Sequence, residues 1–355
     1  MSSPSLHGKH LGRRGHERFG FVVSSPRTFT LSRELCLAIE NALAGLDLKF
    51  SNAKKIADMI LRMSDFYIQN PQAMTPWKEK WCQVAQIAYF FPLNVCRSQA
   101  VFQEAKAVNF PMGANMWDYG SGLGAGSWGL VEQKNKGTDL TFIETSSEAQ
   151  ELHQKILRNF QITKSSWNWQ RLAPGVGQPD VALFSYSLTE LETLPSWAFD
   201  TESVIVIEPS TRQDGRRLMQ LRETLLAKGF SIWAPCTHQQ ACPLLTHSKS
   251  DWCHDRIHLQ MPDWFQEIEN HLPMKNQTIT CSYLLASKKP APATEKWRLV
   301  GDQLKEKGKT RQLICRGPDH EYLSWLHRHG QPPELHRYDK ITQALLPTTT
   351  RFEKR

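Results

Sequence analysis

The stretch WDYGSGLGAGSWGL, residues 117–130, sets Gly120, Gly122, Gly124 and Gly126 at alternate positions behind Asp118. Glycine loses more backbone freedom on folding than any other residue, so such a cluster marks either a surface turn or a backbone passing close to a ligand. The spacing D-x-G-x-G-x-G is not the dinucleotide pattern G-x-G-x-x-G. A second acid, Glu144, ends the next apolar run, TFIE. A different chemistry is offered by APCTHQQACPLLTHSKSDWCHDR, which holds Cys236, Cys242 and Cys253; Cys315 ends the later piece RQLIC. Four thiolates can hold tetrahedral zinc or a cubane iron–sulfur cluster. Tight C-x2-4-C pairs are missing, which suits a larger inorganic core, while His238, His247 and His254 keep zinc open. The other cysteines, Cys36, Cys82, Cys96 and Cys281, stand singly in apolar stretches and read as small buried hydrophobes.

The elements that must position these residues follow from periodicity. LSRELCLAIENALAGL repeats apolar residues at helical spacing (Leu35, Ile39, Leu43, Leu46) behind a Ser32 cap. SNAKKIADMILRMSDFYI has the same character, with Ser51 as the expected cap, and EKWCQVAQIAYFFPLNVCRSQAVFQEAKAV predicts further helix interrupted at Pro92. Residues 29–109 are therefore a helical section behind a basic arm, 1–28, expected to be disordered. After residue 110 the period changes. Apolar runs of strand length (ANMWDYG, DLTFIE, DVALFSYS, SVIVIEP, FSIWAP, CSYLLAS, and a weaker one near WQRLAP) alternate with amphipathic helices such as SEAQELHQKILRNF and GRRLMQLRETLLAKG. That alternation predicts an α/β fold with a mostly parallel sheet covered on both faces. In such sheets the first strand-to-helix turn is the usual ligand cradle, which is where the glycines fall. The Cys-rich segment, 236–279, interrupts the alternation before the last strand. The tail, 291–355, reads as basic and irregular.

Bulk properties narrow the class. The chain has 355 residues, 40% hydrophobic and 22% charged, ordinary values for a packed globular protein. No apolar run approaches the roughly 18 residues of a membrane span, and no apolar stretch follows the basic N-terminus as in a secretory signal. A cytoplasmic protein off the membrane is expected, so the eight cysteines do not read as a disulfide framework. The net charge of +8 fits a solvated basic surface or a phosphate-rich partner.

The glycine loop and its following acid resemble motif I of class I S-adenosylmethionine-dependent methyltransferases, and the strand order fits their seven-stranded, Rossmann-like sheet. Taken together, DYGSGLGAGSW, DVALFSYSLTEL, VIVIEPS, APCTHQQACPL, DWCH and SYLLAS resemble the methyltransferase-like small-ribosomal-subunit assembly proteins of bacteria and mitochondria, over residues 30–316. AYFFPLNVCR fits the bacterial members. The resemblance implies S-adenosylmethionine held by Asp118, Gly120, Gly122, Gly124 and Glu144. It implies a [4Fe–4S] cluster on Cys236, Cys242, Cys253 and Cys315, with the insertion and the C-terminal extension each supplying ligands. Small-subunit rRNA and proteins are the implied partners of a monomer. The chain departs from the family at Ser210, where glycine is usual after EP, and at Asp255, where an aromatic usually follows DWCH. The N/D-P-P-Y/F motif of base N-methyltransferases is replaced by FSYSLTEL, so no catalytic residue is assigned; Ser185 and Tyr186 are at most ligand contacts. Cys236 as the nucleophile of a cytosine C5 enzyme would remove a cluster ligand and lies two strands from the usual place.

Overall fold

The structure, a computed structural model, describes residues 27–70, 73–132, 138–158, 167–173, 177–191 and 193–354. The expected basic arm, apart from Arg27 and Thr28, lies outside the described residues. Strand β1 (Thr28–Phe29) leads to α1 (Arg33–Ala44), where the Ser32 hydroxyl accepts from the Leu35 N–H at 3.2 Å, as the sequence predicts. Helix α2 (Ala53–Gln69) follows a 3-10 turn over Phe50–Asn52, which makes Asn52 its N-cap in place of Ser51. Helix α3 (Lys80–Ala85) passes through a π turn, Gln86–Phe90, into α4 (Phe91–Ala107). Pro92 has no N–H to give the preceding turn, and the break expected there takes the form of this one widened turn.

The sheet strands follow: β2 (Asn115–Tyr119), β3 (Asp139–Ile143), β4 (Trp167–Gln170), β5 (Val181–Ser185), β6 (Ser203–Glu208), β7 (Ser231–Ala234), β8 (Asp255–Leu259) and β9 (Thr278–Ser287). Between them lie α5 (Trp128–Glu132), α6 (Ser147–Leu157), α7 (Arg212–Ala227), α8 (Pro243–His247) and α9 (Asp263–Asn270). The order is β4-β3-β2-β5-β6-β9, with β7 on the far edge of β9. β2 to β6 are mutually parallel, and β9 runs antiparallel to β6 and β7. Val181 and Leu183 of β5 pack on the α4 side while Ala182 and Phe184 pack on the α7 side, which is why the strand reads as an unbroken apolar run. The helical section packs its own core against α6 and α9.

Two departures from expectation concern the later chain. The Cys-rich insertion contains β8, which pairs antiparallel with the first half of β9 and parallel with β1, so the segment extends the sheet. The tail is not irregular. β10 (Trp297–Glu306), β11 (Lys309–Cys315), β12 (Glu321–Leu326), β13 (Lys340–Ile341) and β14 (Arg351–Lys354) form a second sheet in the order β13-β10-β11-β12-β14, all antiparallel. Its two faces are read off alternate residues: Val300, Leu313, Cys315 and Tyr322 face α7 and the insertion, while Leu299, Ile314, Leu323 and Trp325 form a separate small core. Because both faces are apolar, neighbours such as Leu299–Val300 and Leu313–Ile314 are both buried, and no polar–apolar alternation shows in the sequence.

Candidate cofactor site and cysteine cavity

The chain turns out of β2 through glycines that all take positive φ: Gly120 at 68°, Gly122 at 51° and Gly124 at 74°. The N–H groups of Gly120 and Ser121 both donate to the carbonyl of Ile143, at 2.9 and 3.1 Å, folding the loop over the end of β3. A Cβ on Gly124 would run into the buried imidazole of His153, so this glycine is required by packing as well as by φ. Gly122 has more room; its nearest neighbour would be Trp77 Cζ2 at 3.3 Å. Its N–H donates to Glu144 Oε2 at 2.9 Å, while Glu144 Oε1 accepts from the Ser146 N–H at 2.9 Å. Oε1 also accepts a long bond from the Thr145 hydroxyl at 3.5 Å, whereas Oε2 keeps a further lone pair for a hydroxyl.

Asp118 is 1% exposed. Its Oδ2 accepts from the Ser127 hydroxyl at 2.6 Å, and its Oδ1 is buried without a partner, as are the hydroxyls of Ser121 and Ser187 beside it in the loop and after β5. Burial pushes the Asp118 carboxyl up to about 7 against the bond from Ser127, and the nearby charge of Glu144 adds to the rise. An orphaned buried acceptor and two orphaned hydroxyls around a glycine turn fit a ligand that brings an ammonium and hydroxyl groups. Directly after β5, Tyr186 holds φ at 58°. Burial pushes the nearby Glu208 carboxyl, at the end of β6, up to about 8.

The four cysteines singled out in the sequence line one small cavity of about 30 Å³. Cys236 follows β7, Cys242 precedes α8, Cys253 precedes β8 and Cys315 ends β11. No group of three or more His, Cys, Asp and Glu among the described residues is arranged to hold a metal ion. Four sulfurs bound to one zinc would lie within about 4 Å of each other, given a Zn–S bond of about 2.3 Å. Burial pushes the thiol of Cys242 up to about 11, that of Cys253 to about 12 and that of Cys315 well above its ordinary value. His238 Nε2 lies 3.2 Å from Cys315 Sγ, whereas the His254 ring packs on Trp252 and His247 sits in α8. Cys82, Cys96 and Cys281 are buried and Cys36 is half-buried, and no disulfide joins any of the eight.

Two arginines of α7 hold the insertion in place, and no motif in the sequence marks either. Arg222, 1% exposed, donates from Nε to Cys236 Sγ at 3.2 Å and from Nη2 to the carbonyls of His238 and Gln240 at 3.0 and 2.9 Å. Arg216 Nη1 donates to the carbonyls of Ser248 and Asp251, each at 2.9 Å. An arginine among Leu218, Met219 and Leu225 on the buried face of α7 was the available signal. The departure at Asp255 also has a structural reason. Its buried carboxylate pairs with Arg27 at 2.7 Å and with the buried Arg298 of β10, tying the N-terminal segment, the insertion and the second sheet together. Burial alone would raise Asp255, but the charges of Arg298 and Arg27 outweigh it and hold the carboxyl below its ordinary value.

A parallel sheet with a single antiparallel strand inserted next to its last edge, and a glycine turn at the β2–β5 switch point, defines a class I methyltransferase fold. Residues 87–331 match the family described as mitochondrial small ribosomal subunit Rsm22, and the chain belongs to that family. Among solved structures, a putative RNA methyltransferase from Pyrococcus horikoshii is 16% identical over 55% of this chain and 85% of its own, with a TM-score of 0.34. Magnesium protoporphyrin IX methyltransferase from Synechocystis PCC 6803, with S-adenosylmethionine bound, is 13% identical over 56% and 84%, with a TM-score of 0.33. TrmK from M. capricolum, in complex with S-adenosylhomocysteine, is 12% identical over 54% and 69%, with a TM-score of 0.32. No curated protein matches the chain. Among the described residues no helix is long and apolar enough to cross a membrane.

Proposed function

We propose that this chain binds S-adenosylmethionine and the small ribosomal subunit or its precursor rRNA, and supports subunit assembly and translation. The family match supplies the ribosomal part of this reading. The observation that carries the cofactor is the buried, partnerless Oδ1 of Asp118 beneath the glycine turn. Asp118 would take the ammonium of the cofactor, Glu144 the ribose hydroxyls, and Gly120, Gly122 and Gly124 the close approach of the backbone. When bound, S-adenosylmethionine supplies an electrophilic methyl group on a sulfonium. The thiols of Cys236, Cys242, Cys253 and Cys315 are the ligands proposed for a [4Fe–4S] cluster, with zinc as the alternative. Support comes from their convergence on one cavity, with Arg222 set to donate to one sulfur. Metal binding there displaces thiol protons and helps order the insertion.

The same reading assigns 1–28 to a basic arm, 29–109 to a helical section, 110–290 to a methyltransferase-like domain with its insertion at 236–279, and 291–355 to an extension lending Cys315. It places the monomer in the cytoplasm of a bacterial cell; the family's description makes mitochondria the other compartment. A second reading, an active rRNA methyltransferase, is favoured by Tyr186: a non-glycine residue held in the left-handed region stores about 1–3 kcal/mol and is common at working sites.

Three measurements test the proposal. Calorimetry with S-adenosylmethionine should show binding. Co-sedimentation should place the protein on small-subunit precursors, with rRNA affinity falling by orders of magnitude between about 50 and 200 mM salt. Iron and sulfide should be present in anaerobically purified protein and lost in Cys242→Ser; stoichiometric zinc without them replaces the cluster by a zinc site. Transfer of labelled methyl to small-subunit rRNA selects the enzyme, and the absence of both cofactor binding and co-sedimentation refutes the proposal.

A further inference from the structure

The connection between α2 and α3 does more than join two helices. Its residues 73–79 cross the crevice between β2 and β5, where the strand order reverses and where sheets of this kind take their ligands. On the β2 side Trp77 meets Gly122, its Cζ2 atom 3.3 Å from the position a Cβ would occupy. On the β5 side the Thr75 hydroxyl donates to Glu190 Oε1 at 3.1 Å. The strap is also fastened from behind. The Tyr67 hydroxyl of α2 lies 3.1 Å from that of Thr75, and Gln83 Nε2 of α3 donates to the Trp77 carbonyl at 2.7 Å. A half-buried indole is thus fixed against the turn whose Gly122 N–H holds the Glu144 carboxylate.

We propose that Trp77 is the aromatic wall of the cofactor site, its ring lying against the nucleoside part of the bound molecule. This rests on reading the glycine turn as the S-adenosylmethionine site. Glu144 is the residue placed for the ribose hydroxyls, and Trp77 reaches it through a single residue, so the ring adjoins ribose and base. Stacking of a base on an aromatic side chain contributes about 1–3 kcal/mol. The helical section is then part of the binding site, contributing a residue that the methyltransferase-like sheet lacks.

Calorimetry on the full chain tests this with three probes: S-adenosylmethionine, S-adenosylhomocysteine and 5′-methylthioadenosine, which keeps the nucleoside without the amino acid. Trp77→Ala should weaken all three by a similar factor, about tenfold or more. Trp77→Phe should retain most of the affinity, and circular dichroism of both variants should match wild type. Independently of the alanine variant, 5′-methylthioadenosine should quench tryptophan fluorescence in wild type and much less in Trp77→Phe. Unchanged affinities in Trp77→Ala, a loss confined to the sulfonium-bearing probe, or equal quenching in wild type and Trp77→Phe would each overturn the role of Trp77. If wild type binds none of the three, the glycine-turn reading falls and takes this inference with it.

Discussion

Replacing Asp118 by Asn should flatten the pH dependence of the protein's stability while weakening its hold on the cofactor. Burial pushes this carboxyl from 3.8 up to about 7, so the folded state keeps a proton that the unfolded chain has already released. The folded pKa is raised, and its contribution to stability is therefore full below pH 3.8 and is lost as pH rises through about 7. At 1.36 kcal/mol per pK unit, wild type should lose about 3 kcal/mol from this group between pH 5 and pH 8. The amide of Asp118→Asn cannot ionise and carries no such slope. It keeps the bond from Ser127 and leaves its own N–H₂ buried, at a cost of about 1–3 kcal/mol, so the variant should be the weaker protein at pH 5 and lose that deficit by pH 8. Urea unfolding of both proteins at half-unit steps from pH 5 to 8 reads the difference directly. A cationic cofactor must also expel the proton, so wild-type affinity should rise toward tenfold per pH unit below about 7, and that rise should vanish in Asp118→Asn. Parallel stability profiles for the two proteins would refute the reasoning, because they would show that Asp118 titrates in its ordinary range.

The two glycines of the turn should separate in a melting experiment. Gly124→Ala drives a methyl into His153 and should cost about 2–4 kcal/mol, whereas Gly122→Ala bears mainly its positive φ and should cost about 1 kcal/mol. Arg222→Met leaves the carbonyls of His238 and Gln240 without their donor; it should make the insertion sensitive to limited proteolysis and lower stability by about 2–4 kcal/mol, and an unchanged digestion pattern counts against this role. Asp255→Ala strands the buried Arg298, so chemical denaturation should report a loss of about 3–5 kcal/mol; Arg298→Met in the same chain should recover part of it.

What could be read from the residues had short-range causes. Apolar runs such as SVIVIEP announce strands buried on both faces, and the turn after β2 needs glycines that no other residue replaces cheaply. The cysteines drew notice because thiols crowd in a polar segment, and Cys315 joins them through a strand whose pairing the sequence did not show. Features set by distant partners stayed hidden. DRIHL reads as loop until β9 offers it an edge, and β10 to β12 set neighbouring apolar residues such as Leu299–Val300 and Leu313–Ile314 on opposite buried faces, so their alternation does not show. Trp77 looks like one more core aromatic until the fold lays it on Gly122. Ser51 lost its place as a cap because a 3-10 turn consumed one more residue.

Strand β9 pairs along one edge with β6 and along the other with both β7 and β8, and it is made after all of them. A chain synthesised from its N-terminus therefore presents β7 with nothing on the side toward β6, and β8 and β1 with no route into the main sheet, until residue 287 is in place. Asp255, the partner of Arg27 228 positions away, is made before β9 is complete, but the second arginine on its carboxylate, Arg298, comes only after it. Pairings of such long separation are slow to form and leave strand edges exposed meanwhile. The nascent chain thus passes through a stage, between the completion of β6 and that of β9, in which a half-built sheet offers an open apolar edge to whatever is nearby, and holdase chaperones should engage it most strongly over that interval.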